Sequence, residues 1–164
     1  MTRDPGTPQR SERERIRHVE ALRFEGSAAV PELLAELVQP SWSVRRAVVA
    51  VLAAGERETA LRLCEALRTG RDNEARVAGI VDALSSSKAD VEDVLIELTR
   101  DANPAVVCDA AQILGRHESK RALPALAALS EHPDDNVALA AVEALGRIGG
   151  KEAVESLLKL AASR

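Results

Sequence analysis

The sequence predicts an all-α fold: an α-solenoid of antiparallel helix pairs with a leading and a terminal capping helix. Apolar residues recur with a period of 31, each period holds two helical stripes, and aromatic residues are nearly absent. Hydrophobic residues make up 46% of the 164 positions but aromatics only 1%, namely Trp42 and Phe24 with no Tyr. A core of Ala, Val and Leu favours closely spaced helices over a sheet.

Residues 1–10, rich in Pro, Gly and charge, are expected to form a disordered tail. One repeat domain over 11–162 follows. "SERERIRHVEALRFE", residues 11–25, reads as a leading helix with Ile16, Val19, Leu22 and Phe24 available for packing. Helix pairs are predicted near 28–55, 58–86, 89–117 and 120–149. A last helix over 151–162 repeats only the first half of a unit.

The first helix of each unit is defined by three columns. They are Ala29, Ala60, Val91, Ala122 and Ala153; Leu33, Cys64, Leu95, Leu126 and Leu157; and Leu67, Leu98, Leu129 and Leu160. The columns sit one helical turn apart and so form one stripe. In the first unit Glu36 stands where Leu is expected, and Leu37 takes over. The second helix begins at Ser41, Asp72, Asn103 and Asp134, all residue types able to cap the first turn. Pro104 fits the first helical position, where a missing N–H is not needed. Val44, Ala75, Val106 and Val137, then Leu52, Ala83, Leu114 and Leu145, form its inward columns. Gly115 and Gly146 read as helix stops. A lone unit cannot cover its apolar stripe, so the units must stack and the end helices act as caps.

The bulk properties narrow the function. A net charge of -4 argues against a nucleic-acid binder, which normally shows a basic footprint. The N-terminus lacks an apolar signal region, and the strongest apolar run, "AVVAVLAA" at 47–54, is too short to span a membrane. Cys64 and Cys108 form no metal spacing and suit a reducing compartment, so a cytoplasmic location is expected.

"SVRRAVVAVLAAG" and "NVALAAVEALGRIGGKEAVESLLKL" resemble the short HEAT-like repeats of bacteria first named for phycobilin lyases. The likeness covers about residues 27–162 and rests on Val-Arg opening the second helix, paired small residues and Ala-Leu-Gly. It implies a right-handed superhelix whose second helices line a concave face. The family's arginine stands at Arg45 and Arg76 but is replaced by Val107 and Ala138. Gly79 and Asp82 replace the Val48 and Val51 type, so that helix is expected to rotate and bury Val77, Ile80, Val81 and Leu84. Asp109 likewise breaks a column of Ala47, Ala78 and Ala140.

Candidate chemistry is sparse. His117-Glu118 invites comparison with the iron-binding pairs of HEAT-repeat deoxyhypusine hydroxylases, but those recur inside several second helices. A single pair at a helix end is better read as a surface His beside a turn, and metal sites need several convergent ligands. His18 and His132 have unrelated neighbours. Cys64 occupies a Leu column and reads as a small buried hydrophobe. Cys108 shares a column with Arg46, Val77 and Leu139 that faces the groove on the family pattern, though Asp109 beside it opposes a reactive thiolate. No catalytic set and no cofactor motif is found, and the chain is read as not an enzyme.

The second helices offer a binding surface instead. Val49, Ile80, Ala111 and Val142 form a 31-spaced column that is either a shallow apolar strip for a partner or shared packing between units. Trp42 opens a second helix at the array's rim. There it either packs on a neighbouring loop or on the leading helix near Phe24, sealing the array's end, or anchors a partner. Sealing is the preferred alternative. Arg45 matches the structural arginine of the family, leaving Arg46 freer. The candidate partner-binding set is therefore Trp42, Arg46, Val49, Arg76, Ile80, Ala111 and Val142. The expected function is a non-catalytic adaptor or scaffold that binds a protein on its concave face, with signalling in bacteria as the setting the resemblance implies. It is expected to be a monomer or weak homo-oligomer with no nucleic-acid or membrane partner. The alternatives are a phycobilin-lyase-like subunit holding a chromophore or its acceptor, and DNA binding like that of HEAT-like glycosylases, which would need a basic groove with stacking aromatics.

Overall fold

The computed structural model describes residues 11–162, with the side chains of residues 159 and 160 excepted. The expected tail over 1–10 and the side chain of Leu160 thus lie outside the described residues. Ten α-helices follow one another, with no strand among the described residues. They are α1 (Glu12–Leu22), α2 (Val30–Glu36), α3 (Trp42–Ala53), α4 (Arg57–Thr69) and α5 (Glu74–Ser86), then α6 (Glu92–Leu98), α7 (Pro104–Arg116), α8 (Leu123–Leu129), α9 (Asp135–Ile148) and α10 (Gly150–Ala162). The helices form two layers. α1, α3, α5, α7 and α9 stack on one another in a row, while α2, α4, α6, α8 and α10 cover their other side. The molecule is an α-solenoid that begins with a single helix of one layer and ends with a single helix of the other.

Local chemistry starts the helices. Ser11 and Glu14 form a capping box at α1. Ser41, Asn103 and Asp134 cap α3, α7 and α9 through their side-chain oxygens, and Pro104 occupies the first turn of α7. In the second unit the cap is Asn73, not the expected Asp72. Asp72 instead accepts a hydrogen bond from Arg76 at 2.9 Å. The helix start has slipped by one residue, and this one shift accounts for several departures. Ala75 is exposed, and Ile80 and Leu84 are buried beside Gly79 and Ala83, which keep the buried places of Val48, Ala110 and Ala141 and of Leu52, Leu114 and Leu145. The rotation anticipated for this helix is therefore present: Ile80, Val81 and Leu84 are buried and Val77 is half-buried.

Two other expectations need correction. The leading helix stops at Leu22, and a 3-10 segment, Arg23–Ala29, turns the chain at Gly26 (φ 59°). Phe24 is left 79% exposed with Arg23 over its ring, so it is no part of the core. Gly115 and Gly146 stop nothing: both lie inside helices. α9 ends at Gly149 (φ 63°), and the chain leaves α7 through Glu118, which adopts φ 51°.

The core is the expected one. Ala29, Ala60, Val91, Ala122 and Ala153 are all buried, as are Leu33, Cys64, Leu95 and Leu126, with Leu157 half-buried at the end. The absence of a side chain at Gly115 has its own use. A Cβ there would lie 2.8 Å from the Ala144 Cα, so α7 and α9 meet nearly backbone to backbone. We expect Gly115→Val to lower the urea unfolding free energy by about 1–3 kcal/mol through overpacking. Gly146→Ala, whose Cβ would meet nothing within 4 Å, should raise it by about 0.5–1 kcal/mol through helix propensity.

Candidate functional site

The outward face of the row α3, α5, α7 and α9 carries two adjoining grooves. One, of about 510 Å³, lies between α3 and α5 and is lined by Trp42, Arg46 and Val49 on one side and by Ala75, Ala78 and Gly79 on the other. Leu37, Arg45 and Asp82 complete it. The second, of about 430 Å³, lies between α5 and α7 and shares Ala78 and Asp82 with the first.

The Trp42 indole is 64% exposed and does not seal the array. As the first helical residue it has no preceding turn to lean on, and Phe24 does not approach to cover it. Its neighbour is Arg46, one turn on, whose guanidinium lies 5.3 Å from the ring centroid. Arg45 behaves differently: it donates to the Gln39 carbonyl at 2.6 Å and the Pro40 carbonyl at 3.0 Å, tying α3 to the preceding loop. Arg76 also turns back, to Asp72, and lines neither groove.

Of the candidate column, Val49 and Val142 are half-buried, while Ile80 and Ala111 are completely buried. The two are counterparts in the repeat, and both are closed in where the second helices pack on one another. Neither can meet a partner on this face. The open column lies one turn earlier. There Arg46 and Leu139 are exposed, the latter by 58%, and Val77 and Cys108 are half-buried.

The groove between α5 and α7 holds residues that sequence reasoning missed. Arg71 donates to Asp109 at 2.8 Å and to the Leu67 carbonyl at 3.1 Å, and Arg116 donates to Asp82 at 3.0 Å. The signal was present in Asp82 and Asp109, both placed in apolar columns. A carboxylate leaning into a packed face needs a cation on the next unit. Three histidines serve local structure: His18 pairs with Glu32 at 2.6 Å, His117 bonds the Leu84 carbonyl, and His132 accepts the Asp134 amide. Among the described residues no cluster of His, Cys, Asp or Glu is arranged to hold a metal. None of the described helices is long and apolar enough to cross a membrane.

These features define the class as an α-helical repeat solenoid with its open grooves on the second-helix row. Residues 91–164 match the family of HEAT repeats, so this part of the array is HEAT-like. Among solved structures the chain is similar to a designed armadillo repeat protein in complex with the peptide (KR)4. The identity is 18%, over 90% of this chain and 80% of that one, with a TM-score of 0.44. A second designed armadillo repeat protein also shows 18% identity, over 96% of this chain and 85% of that one, with a TM-score of 0.42. No curated protein matches the chain.

The two thiols differ in surroundings but shift the same way. Burial, with a smaller contribution from Asp93, pushes Cys64 from 9.0 up to about 12. The folded chain thus holds this proton more tightly than the unfolded one. The stability it supports is full below 9.0 and is lost as pH rises from there towards about 12. Urea titrations should show a loss approaching about 1.4 kcal/mol per pH unit in that window, absent in Cys64→Val. Cys108 is raised by burial, then by Asp134 and Asp109, against a lowering effect of Arg71. Asp109→Asn removes one raising charge and leaves Arg71 unneutralised. Cys108 in that variant should react faster with a thiol reagent at mildly alkaline pH, an outcome read directly from the labelling rate.

Proposed function

We infer that the chain is a non-catalytic interaction module, an adaptor or scaffold, that holds a segment of a partner protein along its second-helix row. The carrying observation is the placement of Trp42, Arg46 and Leu139 as exposed side chains on the row that also bears two adjoining grooves. An exposed tryptophan and arginine beside an apolar groove are the residue types that most often anchor protein partners. In this reading Trp42, Arg46, Val49, Val77, Leu139 and Val142 form the contact surface, and Arg76 steadies the helix start beneath it. The row's helices stack closely along the array while the covering layer touches more sparsely, which favours the row as the inner, concave side. The protein acts as a monomer or weak homo-oligomer in the cytoplasm, in a signalling or regulatory assembly of the kind the family resemblance implies. The chromophore-holding and DNA-binding alternatives gain no observation of their own.

The test uses a photo-crosslinking residue in place of Leu139 on the row, and in place of Glu65, which is exposed on α4 in the other layer. In native cells we expect one discrete protein adduct from position 139, several-fold stronger than anything from position 65. Equal yields from both layers, or adducts from position 65 alone, would defeat the assignment.

A further inference from the structure

The two grooves differ in how their charges are balanced. Between α5 and α7 each arginine is held by a carboxylate, Arg71 by Asp109 and Arg116 by Asp82. Between α3 and α5 the arginines have none. Arg45 is bonded only to two neutral carbonyls, and Arg46 rests on the indole of Trp42. Among the described residues neither forms an ion pair. The one carboxylate lining this groove, Asp82, already accepts from Arg116 at 3.0 Å. A chain of net charge -4 thus keeps two uncompensated guanidiniums in one groove beside its only tryptophan.

The shape suits an extended or helical segment. Ala75, Ala78 and Gly79 keep the α5 wall low, while Leu37, Val49 and Trp42 supply apolar surface. About 510 Å³ holds one or two side chains rather than a folded domain. We propose that this groove takes an acidic segment of a partner protein. A carboxylate pairs with Arg46 and Arg45, and an adjacent apolar side chain packs against Trp42. The inference rests on the reading of the second-helix row as the interaction surface. An arginine whose planar face lies on an aromatic ring keeps its edge N–H donors for a carboxylate, so the cation–π contact pre-orients Arg46. A basic segment would face two like charges, and could gain Asp82 only by displacing Arg116.

The chain has one Trp and no Tyr, so Trp emission reports this groove alone. The probes are a short synthetic peptide alternating Glu with Leu and its counterpart with Lys for every Glu. Binding is read from Trp42 emission and, in parallel, from the anisotropy of fluorescein-labelled peptide. The Glu peptide should bind roughly tenfold or more tightly than the Lys peptide, with affinity falling as salt rises. Arg46→Glu should weaken it by at least about tenfold, whereas Arg147→Glu, the same charge change at an exposed site on α9, should leave it unaltered. Helical circular dichroism confirms that both variants remain folded. Equal or tighter binding of the Lys peptide, or an Arg46→Glu variant that binds as before, overturns the proposal. So does the failure of both peptides to bind, an outcome that leaves any face-specific adduct at position 139 standing.

Discussion

Each helix pair carries an apolar stripe that only neighbouring pairs can cover, and covering it demands helices that approach closely. That demand explains the composition. Val48, Ile80, Ala110 and Ala141 sit at corresponding depths in α3, α5, α7 and α9, and all are completely buried. None is larger than a branched aliphatic side chain, and α7 and α9 come together at Gly115 and Ala144, where a Cβ on Gly115 would not fit. Larger residues at these depths would push the helices apart and reopen the stripe to water. The aromatics are accordingly both outside, at Phe24 and Trp42.

The proposed binding surface lies where this regularity is relaxed. The cap at Asn73 makes the second helix of the second unit start one residue late, and Ala75, Ala78 and Gly79 form its groove wall. With little side-chain bulk on that wall, space remains opposite Trp42 and Val49. On the other side of α5 the irregular residues are acidic, and each found an arginine across the gap. The same helix therefore presents an open groove on one side and a cross-braced one on the other.

Much of the fold was legible because a period of 31 repeats its own evidence. Ala29 alone says nothing, but five small residues in its column define a buried position, and all five are buried. The slip was less legible because Asp72 and Asn73 are adjacent and both residue types cap helices well. Only packing decides between them, through Ile80 and Leu84. The same limit applied to the site. A period groups equivalent residues without fixing the rotation of a helix, so it leaves the column containing Ile80 and Ala111 open to two readings, a partner strip or shared packing, and burial of both residues decides for packing. The exposed column lay at Arg46, Val77, Cys108 and Leu139. The rim position of Trp42 is legible from its counterparts Asn73, Pro104 and Asp135, but its sealing role is not found, since Trp42 and Phe24 are both exposed.

The Arg–Asp cross-bracing between α5 and α7 also has a mechanical meaning. Along the row, α7 runs against α9 in extensive contact and against α5 in much less, and the lesser contact is where Arg71–Asp109 and Arg116–Asp82 span the gap. Ionic struts between partly exposed side chains yield with less loss than interlocked backbones, and counterions soften them further. The junction of α5 and α7 is thus expected to be a more compliant place in the row than the junction of α7 and α9. A load along the array would then concentrate its strain at that junction, beside the groove that Trp42 overlooks.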